Sequence, residues 1–350
     1  MYERKEKTAY SNLSSLCWDT SDYCRNIPWR SCNRLKKGHK NLSRMYRNRL
    51  MKSQKAHPGK LRLLIQLGWA ALTNGYIKGF AKGQIFTGTS KYLCLPGMNC
   101  YSCPGALGSC PIGSLQATLN AREYKLSLYV LGVLAVFGTL LGRFVCGFLC
   151  PFGLIQDLLF KIPFVKKLRR LPGEKSLRWL RFVLLGVFVI LLPMFVIDIT
   201  GLGEPWFCKW ICPVGTLEGG IPLVLLNNAM RGAAGFLFRW KLVILAITLL
   251  LSIIIYRPFC RYVCPLGAVY GLFNKISFYR IKIDSEKCVS CGVCQKVCKL
   301  DIPVWKNPDS MDCIRCGECK AACPQNAITS TILLQQRSEN PHESSKESDV

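Results

Sequence analysis

Cys288-Val-Ser-Cys291-Gly-Val-Cys294-Gln-Lys-Val-Cys298, and after it Cys313-Ile-Arg-Cys316-Gly-Glu-Cys319-Lys-Ala-Ala-Cys323-Pro324, decide how this chain is read. Three cysteines at intervals of three residues let one tight loop hold three corners of an iron–sulfur cube. The fourth corner comes from the other run, so that two [4Fe-4S] clusters interlock. The spacing assigns one cluster to Cys288, Cys291, Cys294 and Cys323, and the other to Cys313, Cys316, Cys319 and Cys298. Lys299 stands where a proline usually follows the last cysteine of the first run, which leaves the ligand count intact. Zinc would be satisfied by paired Cys-x2-Cys steps, whereas each run here has a further step and a fourth cysteine, the pattern of iron–sulfur chemistry.

Upstream, a second spacing occurs three times: Cys146-x3-Cys150-Pro151, Cys208-x3-Cys212-Pro213 and Cys260-x3-Cys264-Pro265. Arg143 and Arg257 each stand three residues before the first cysteine of their block. One block offers two thiolates, too few for a cube; together Cys146, Cys150, Cys260 and Cys264 offer four, and they are expected to hold one [4Fe-4S] cluster whose charge the two arginines offset. Cys110-Pro111-Ile-Gly113-Ser-Leu-Gln116 echoes Cys150-Pro151-Phe-Gly153-Leu-Ile-Gln156, a degenerate fourth copy with Ala106 in place of the first cysteine. Cys94, Cys100, Cys103 and Cys110 therefore compete with Cys208 and Cys212 for one further cluster, expected at the outer face where the first set is expected at the cytoplasmic face, or for one cluster plus a disulfide, and spacing alone does not choose four of the six. Cys17, Cys24 and Cys32 have wide spacing and no Cys-Pro, and read as incidental thiols.

Composition fits a metal-rich membrane protein. Cysteine is 21 of 350 residues, an excess that a chain without metal or disulfides seldom carries. The net charge of +27 suggests nucleic acid, but its distribution argues against that partner. No Asp or Glu occurs between Tyr23 and Arg122, and twelve Lys or Arg fall between Arg30 and Arg62, just before an apolar segment. That is the basic cytoplasmic flank of a membrane helix.

Four membrane helices are expected, at about 61–80, 125–144, 181–199 and 239–256. Their uncharged cores hold 15 to 17 residues, extended by snorkelling Lys and Arg and by Trp179 and Trp240 at the interfaces. The 143–181 segment carries nine Lys or Arg against Asp157 and Glu174, whereas 200–238 carries only Lys209 and Arg231 against Glu204 and Glu218. Charge bias thus places both termini and 145–178 in the cytoplasm, with 81–124 and 200–238 facing outward. Residues 154–168 and 221–238 read as helices lying along the interface. The expected fold is an α-helical integral membrane protein with a small α+β domain of the bacterial two-cluster ferredoxin type. Its parts are a basic, disordered cytoplasmic extension (1–60), a transmembrane domain (61–275), the ferredoxin domain (276–330) and a disordered tail (331–350).

Absences narrow the chemistry. His39, His57 and His342 are the only histidines and none lies in a membrane helix, so paired haem ligands are missing. No Cys-x2-Cys is followed by His, and no Gly-x-Gly-x2-Gly follows a strand. Asp198 and Glu218 stand near the outward ends of their segments, where they could accept protons from a quinol. Interfacial solvation is the role expected of both.

The blocks Gly142-Arg143-Phe-Val-Cys146-Gly-Phe-Leu-Cys150-Pro-Phe-Gly153 and Arg257-Pro-Phe-Cys260-Arg-Tyr-Val-Cys264-Pro-Leu-Gly267, with the double ferredoxin run, resemble membrane polyferredoxins of the NapH/NosR type. The resemblance covers about 58–330. It implies four membrane helices, cytoplasmic termini and a multi-pass protein of a prokaryotic cell membrane. It also implies electron transfer between the quinone pool or a cytoplasmic donor and partner redox proteins, as a quinol-dehydrogenase-like electron-transfer subunit, or support of their maturation. The Cys208/Cys212 block and the 94–110 cysteines depart from that pattern, and no flavin-bearing outer domain is present. Two other functions stay open on sequence alone: a maturation factor with a Cys208/Cys212 dithiol, and a redox-sensing regulator acting through the basic tail.

Overall fold

The computed structural model describes residues 58–119, 128–163, 167–171, 173–196, 203–232 and 234–332. Almost all of the expected extension and tail, together with Cys17, Cys24, Cys32, the three histidines and Asp198, lies outside these residues. The chain divides into two compact units. One comprises 60–279 with 309–316; the other comprises 280–308 and 317 onward. Segment 309–316, which carries Cys313 and Cys316, thus packs with the larger unit. The Asn274 amide donates to the Ser310 and Cys313 carbonyls at 2.9 Å each and fixes it there.

In the larger unit the helices of nine or more residues are α1 (Pro58–Thr73), α2 (Pro111–Leu119), α3 (Leu128–Leu141), α4 (Pro151–Phe160), α5 (Ser176–Phe195), α6 (Pro213–Leu226), α7 (Phe236–Ile254) and α8 (Pro265–Phe273). α1 stops earlier than expected, at Asn74-Gly75, where the Tyr76 N–H turns away to the Gly105 carbonyl. α3 ends at Gly142, whose φ of +55° and N–H to the Gly138 carbonyl form a left-handed C-terminal cap. α5 includes a π-helical stretch, Leu185–Leu191.

Among the described residues, α5 and α7 are the two helices long and apolar enough to cross a membrane; α3 is shorter, and 120–127 before it lie outside the described residues. Of the four expected spans, those at 181–199 and 239–256 thus correspond to full-length apolar helices. These helices expose apolar faces: Val183, Val187, Ile190 and Leu191 on α5, and Val243, Ile247 and Leu250 on α7. Contiguous exposed apolar surface of this kind suits lipid rather than water.

Residues 154–168 were expected along the interface. Instead α4 packs into the core, with Phe152, Leu154, Gln156 and Asp157 buried. The reason is Asp157. It accepts from Arg257 Nε at 2.8 Å and pairs with Arg62, and Arg62 also donates to the Tyr256 hydroxyl at 2.9 Å. Burial by itself would raise the Asp157 pKa, but Arg257 and Arg62 outweigh it and hold the carboxyl well below the usual range. The network ties α1, α4 and the end of α7 together.

The smaller unit has a two-stranded sheet, β1 (Tyr279–Ile283) with β2 (Ile328–Ile332), and two short helices, α9 (Val293–Val297) and α10 (Glu318–Ala322), packed on each other.

Candidate metal centres

Four helices of the larger unit begin in the same way. Cys110, Cys150, Cys212 and Cys264 each stand immediately before a proline that opens α2, α4, α6 and α8. Proline suits that position because its missing N–H would be unpaired there anyway. The free N–H groups of each first turn point at the cysteine sulfur: Ile112 and Gly113 at Cys110, Gly153 at Cys150, Val214 and Gly215 at Cys212, and Gly267 at Cys264. Each sulfur therefore sits at the positive end of a helix with amide donors that favour its anion, although burial outweighs them and raises the free thiols.

The first buried set is Cys146, Cys150, Cys260 and Cys264, all less than a tenth exposed. Cys264 lies within electrostatic reach of the other three. The two blocks are locked by a reciprocal exchange. Arg143, ahead of the first block, donates to the Cys260 carbonyl at 2.8 Å, and Arg257, ahead of the second, donates to the Cys146 carbonyl at 2.5 Å. Glycine is needed beside them: a Cβ at Gly267 would lie 2.9 Å from the Arg143 guanidinium. The expectation that these arginines offset cluster charge is thus modified, since each also pairs with a carboxylate, Arg257 with Asp157 and Arg143 with Asp312 at 3.5 Å. Gln156 Nε2 donates to Cys260 Sγ at 3.2 Å.

A second set emerges from the six competing cysteines, with Cys110 and Cys212 buried and Cys100 and Cys208 half-buried. Cys208 lies within electrostatic reach of Cys212, Cys110 and Cys100. These four line one cavity of about 660 Å³, and Cys94 and Cys103 do not. Cys103 Sγ instead faces Asn74 Oδ1 at 3.6 Å, and Cys94 Sγ bonds the Ser114 hydroxyl. Gln116 repeats the part of Gln156: its Nε2 donates to Cys208 Sγ at 3.3 Å, and its Oε1 accepts the Phe207 N–H at 3.0 Å. Glu218 is half-buried and accepts the Cys100 N–H at 2.8 Å, and its partial burial pushes its carboxyl up to about 7.

In the smaller unit Cys288, Cys291, Cys294 and Cys323 line one recess, the grouping expected from spacing. Cys298 and Cys319 belong to the same unit, whereas Cys313 and Cys316 are on segment 309–316 of the larger one.

The thiols fit iron–sulfur cubes better than single ions. Among the described residues no three Cys, His, Asp or Glu side chains converge to hold one metal ion. In the second set the sulfurs surround a volume, as the corners of a cube require, and in both sets amide N–H groups are aimed at them. Sequence reasoning missed Tyr270, which lies close to cysteines of both sets, considered Glu218 only as a proton acceptor for a quinol, and saw Gln116 and Gln156 only as part of an echo. The signal was present: all four stand six residues after the cysteine of their Cys-Pro step.

A family model described as a 4Fe-4S binding domain matches residues 126–172, 185–221 and 240–284, so each Cys-x3-Cys-Pro block falls in one repeat. A second 4Fe-4S binding domain model matches 307–329. The chain is similar to an uncharacterized protein of Methanocaldococcus jannaschii, 31% identical over 51% of this chain and 67% of that protein. It is also similar to the ferredoxin-type protein NapH of Haemophilus influenzae, at 30% over 52% of this chain and 57% of that protein. The methylamine utilization ferredoxin-type protein MauN of Methylobacillus flagellatus is 26% identical over 49% and 52%. The chain thus spans little more than half the length of the two named relatives. No solved structure matches. Cysteine sets built on Cys-Pro helices, the ferredoxin run, the matching 4Fe-4S domains and these relatives agree: the chain belongs to the membrane-associated polyferredoxins of the NapH/NosR type and is an iron–sulfur electron-transfer protein.

Proposed function

We propose that this protein carries electrons through a membrane over four [4Fe-4S] clusters. Two are held by the ferredoxin run, with the ligands given by its spacing. One is held by Cys146, Cys150, Cys260 and Cys264, and one by Cys100, Cys110, Cys208 and Cys212. The observation that carries the proposal is the pair of four-thiol sets, one fully buried and one lining a cavity, within one unit whose outer helix faces are apolar. A bilayer core of ~30 Å is too thick for one electron jump, and redox groups inside the protein divide it. When bound, such clusters supply one-electron carriers; the chain's residues fix their positions and tune them through N–H···S bonds and burial.

The chain is placed in the cell membrane as a multi-pass protein with both termini cytoplasmic. α1 and α3 complete the spans of α5 and α7. The set of Cys146, Cys150, Cys260 and Cys264 is assigned to the cytoplasmic side and the set of Cys100, Cys110, Cys208 and Cys212 to the outer side, as the charge bias of their segments supports, and both adjoin residues 94–100. Donor and acceptor are redox proteins or quinone on either side. The test is a proteoliposome with an impermeant oxidant trapped inside and an impermeant reductant outside. Wild type should reduce the trapped dye and Cys208→Ala should not; equal rates from both would rule the path out.

A further inference from the structure

The two thiol sets meet at one short piece of chain, Pro96-Gly97-Met98-Asn99. Met98 is 3% exposed. On one side its Sδ lies 3.3 Å from Cys264 Sγ, and its backbone N–H points at Cys150 Sγ. On the other side Met98 lines the cavity formed by Cys100, Cys110, Cys208 and Cys212. Cys100 follows two residues later, so at most about 7 Å of extended chain separates a contact of the first set from a ligand of the second. The segment is pressed against the first set, backbone on backbone: a Cβ at Gly97 would lie 2.6 Å from the Leu149 carbonyl oxygen and 3.2 Å from Cys150 Cα. It is also pinned. The buried Tyr270 donates its hydroxyl to the Pro96 carbonyl at 3.0 Å, and Asn99 Nδ2 donates to the Thr73 carbonyl at 3.3 Å. Tyr270 lies within electrostatic reach of Cys146 and Cys150 on one side and of Cys94 and Cys110 on the other.

We infer that Pro96–Asn99 is the common wall of the two centres, and that Met98 is the positioning residue that couples them electronically. This rests on the reading of both sets as cluster sites. A thioether is apolar and polarizable, so it fills the wall without water and keeps a sulfur in contact with a ligand sulfur. Across the wall one electron is lost by the donor centre and gained by the acceptor; no bond is made or broken and no proton moves.

The test is EPR on the anaerobically reduced full-length protein, beside Cys208→Ala and Met98→Leu. Two centres sharing this wall should show magnetic interaction: a broadened or split spectrum and fast spin relaxation for the first set. In Cys208→Ala that set should give a simple, slowly relaxing signal. Met98→Leu conserves volume, so it should keep both signals and their interaction while electron equilibration between them after flash reduction slows several-fold. Two signals in wild type with no interaction, or relaxation unchanged by Cys208→Ala, would overturn the inference and leave the cluster assignment standing. Absence of a signal from the second set in wild type would overturn the assignment and the inference with it. An unchanged equilibration rate in Met98→Leu removes Met98 from the path; if that variant loses iron, the Cys208→Ala comparison decides.

Discussion

Gln156→Leu isolates one hydrogen bond to one sulfur. Gln156 Nε2 donates to Cys260 Sγ at 3.2 Å from a side chain with no solvent exposure, and its Oε1 has no partner among the described residues. Water has no route to replace the lost donor. A hydrogen bond to a charged group contributes about 1.5–3 kcal/mol. The reduced cluster carries one more negative charge than the oxidised one, so the bond is stronger in the reduced state; taking the difference as about 1 kcal/mol, with a tenfold change being 59 mV for one electron, gives about 40 mV. The sign is fixed: removing a donor disfavours the more negative state, so the potential of the first buried centre should fall. Gln116→Leu should do the same at the second centre, where Gln116 meets Cys208. Potentiometric EPR titration of wild type and both variants reads each centre separately. A shift of only the expected centre in each variant supports the assignment. No shift in either, or equal shifts of both centres in both, would refute it.

Asp157→Asn leaves Arg62 and Arg257 buried without their carboxylate, which should cost about 3–5 kcal/mol and lower the thermal midpoint in detergent. The pH dependence has a definite sign. The folded pKa of Asp157 is depressed, so its stabilisation is complete above the ordinary carboxylate value of about 4 and is lost as pH falls through the depressed value. The wild-type midpoint should therefore vary little on this account between neutral pH and about 5, with the acid loss confined below that. Asp312→Asn weakens the contacts of Arg178 at 2.6 Å and Arg181 at 2.7 Å that hold segment 309–316, and hydrogen exchange should rise there first. Cys94→Ser and Cys103→Ser should keep the full iron content, whereas Cys100→Ser should lose one cluster. Iron and sulfide analysis separates these outcomes.

The meeting of Cys288, Cys291, Cys294 and Cys323 in one recess, and of the four cysteines of the first set, agrees with spacing along a few residues. Cys-Pro marks a helix start, and two such starts with a preceding Arg identify partners. The second set was not legible, since its membership depends on how 94–110 folds back: Cys100 is brought to Cys208 while Cys103 turns to Asn74. Glu218 reads from sequence as a solvated carboxylate near a segment end; its bond to the Cys100 N–H depends on how 94–110 folds back and has no local signal. α4 looked amphipathic in the plane of the membrane, but the sequence does not show that Asp157 will find two arginines far away in the chain. Net charge speaks to sidedness and not to the distance between sites, so the approach of the two sets at Met98 has no signal in the sequence.

The most direct test of the account is the cluster count of the anaerobically purified protein. Iron, acid-labile sulfide and an EPR redox titration should be measured on wild type beside Cys208→Ala. Four [4Fe-4S] centres in wild type and three in the variant are the predicted result. Three centres in both would leave Cys100, Cys110, Cys208 and Cys212 without a cluster and would contradict the path through the membrane.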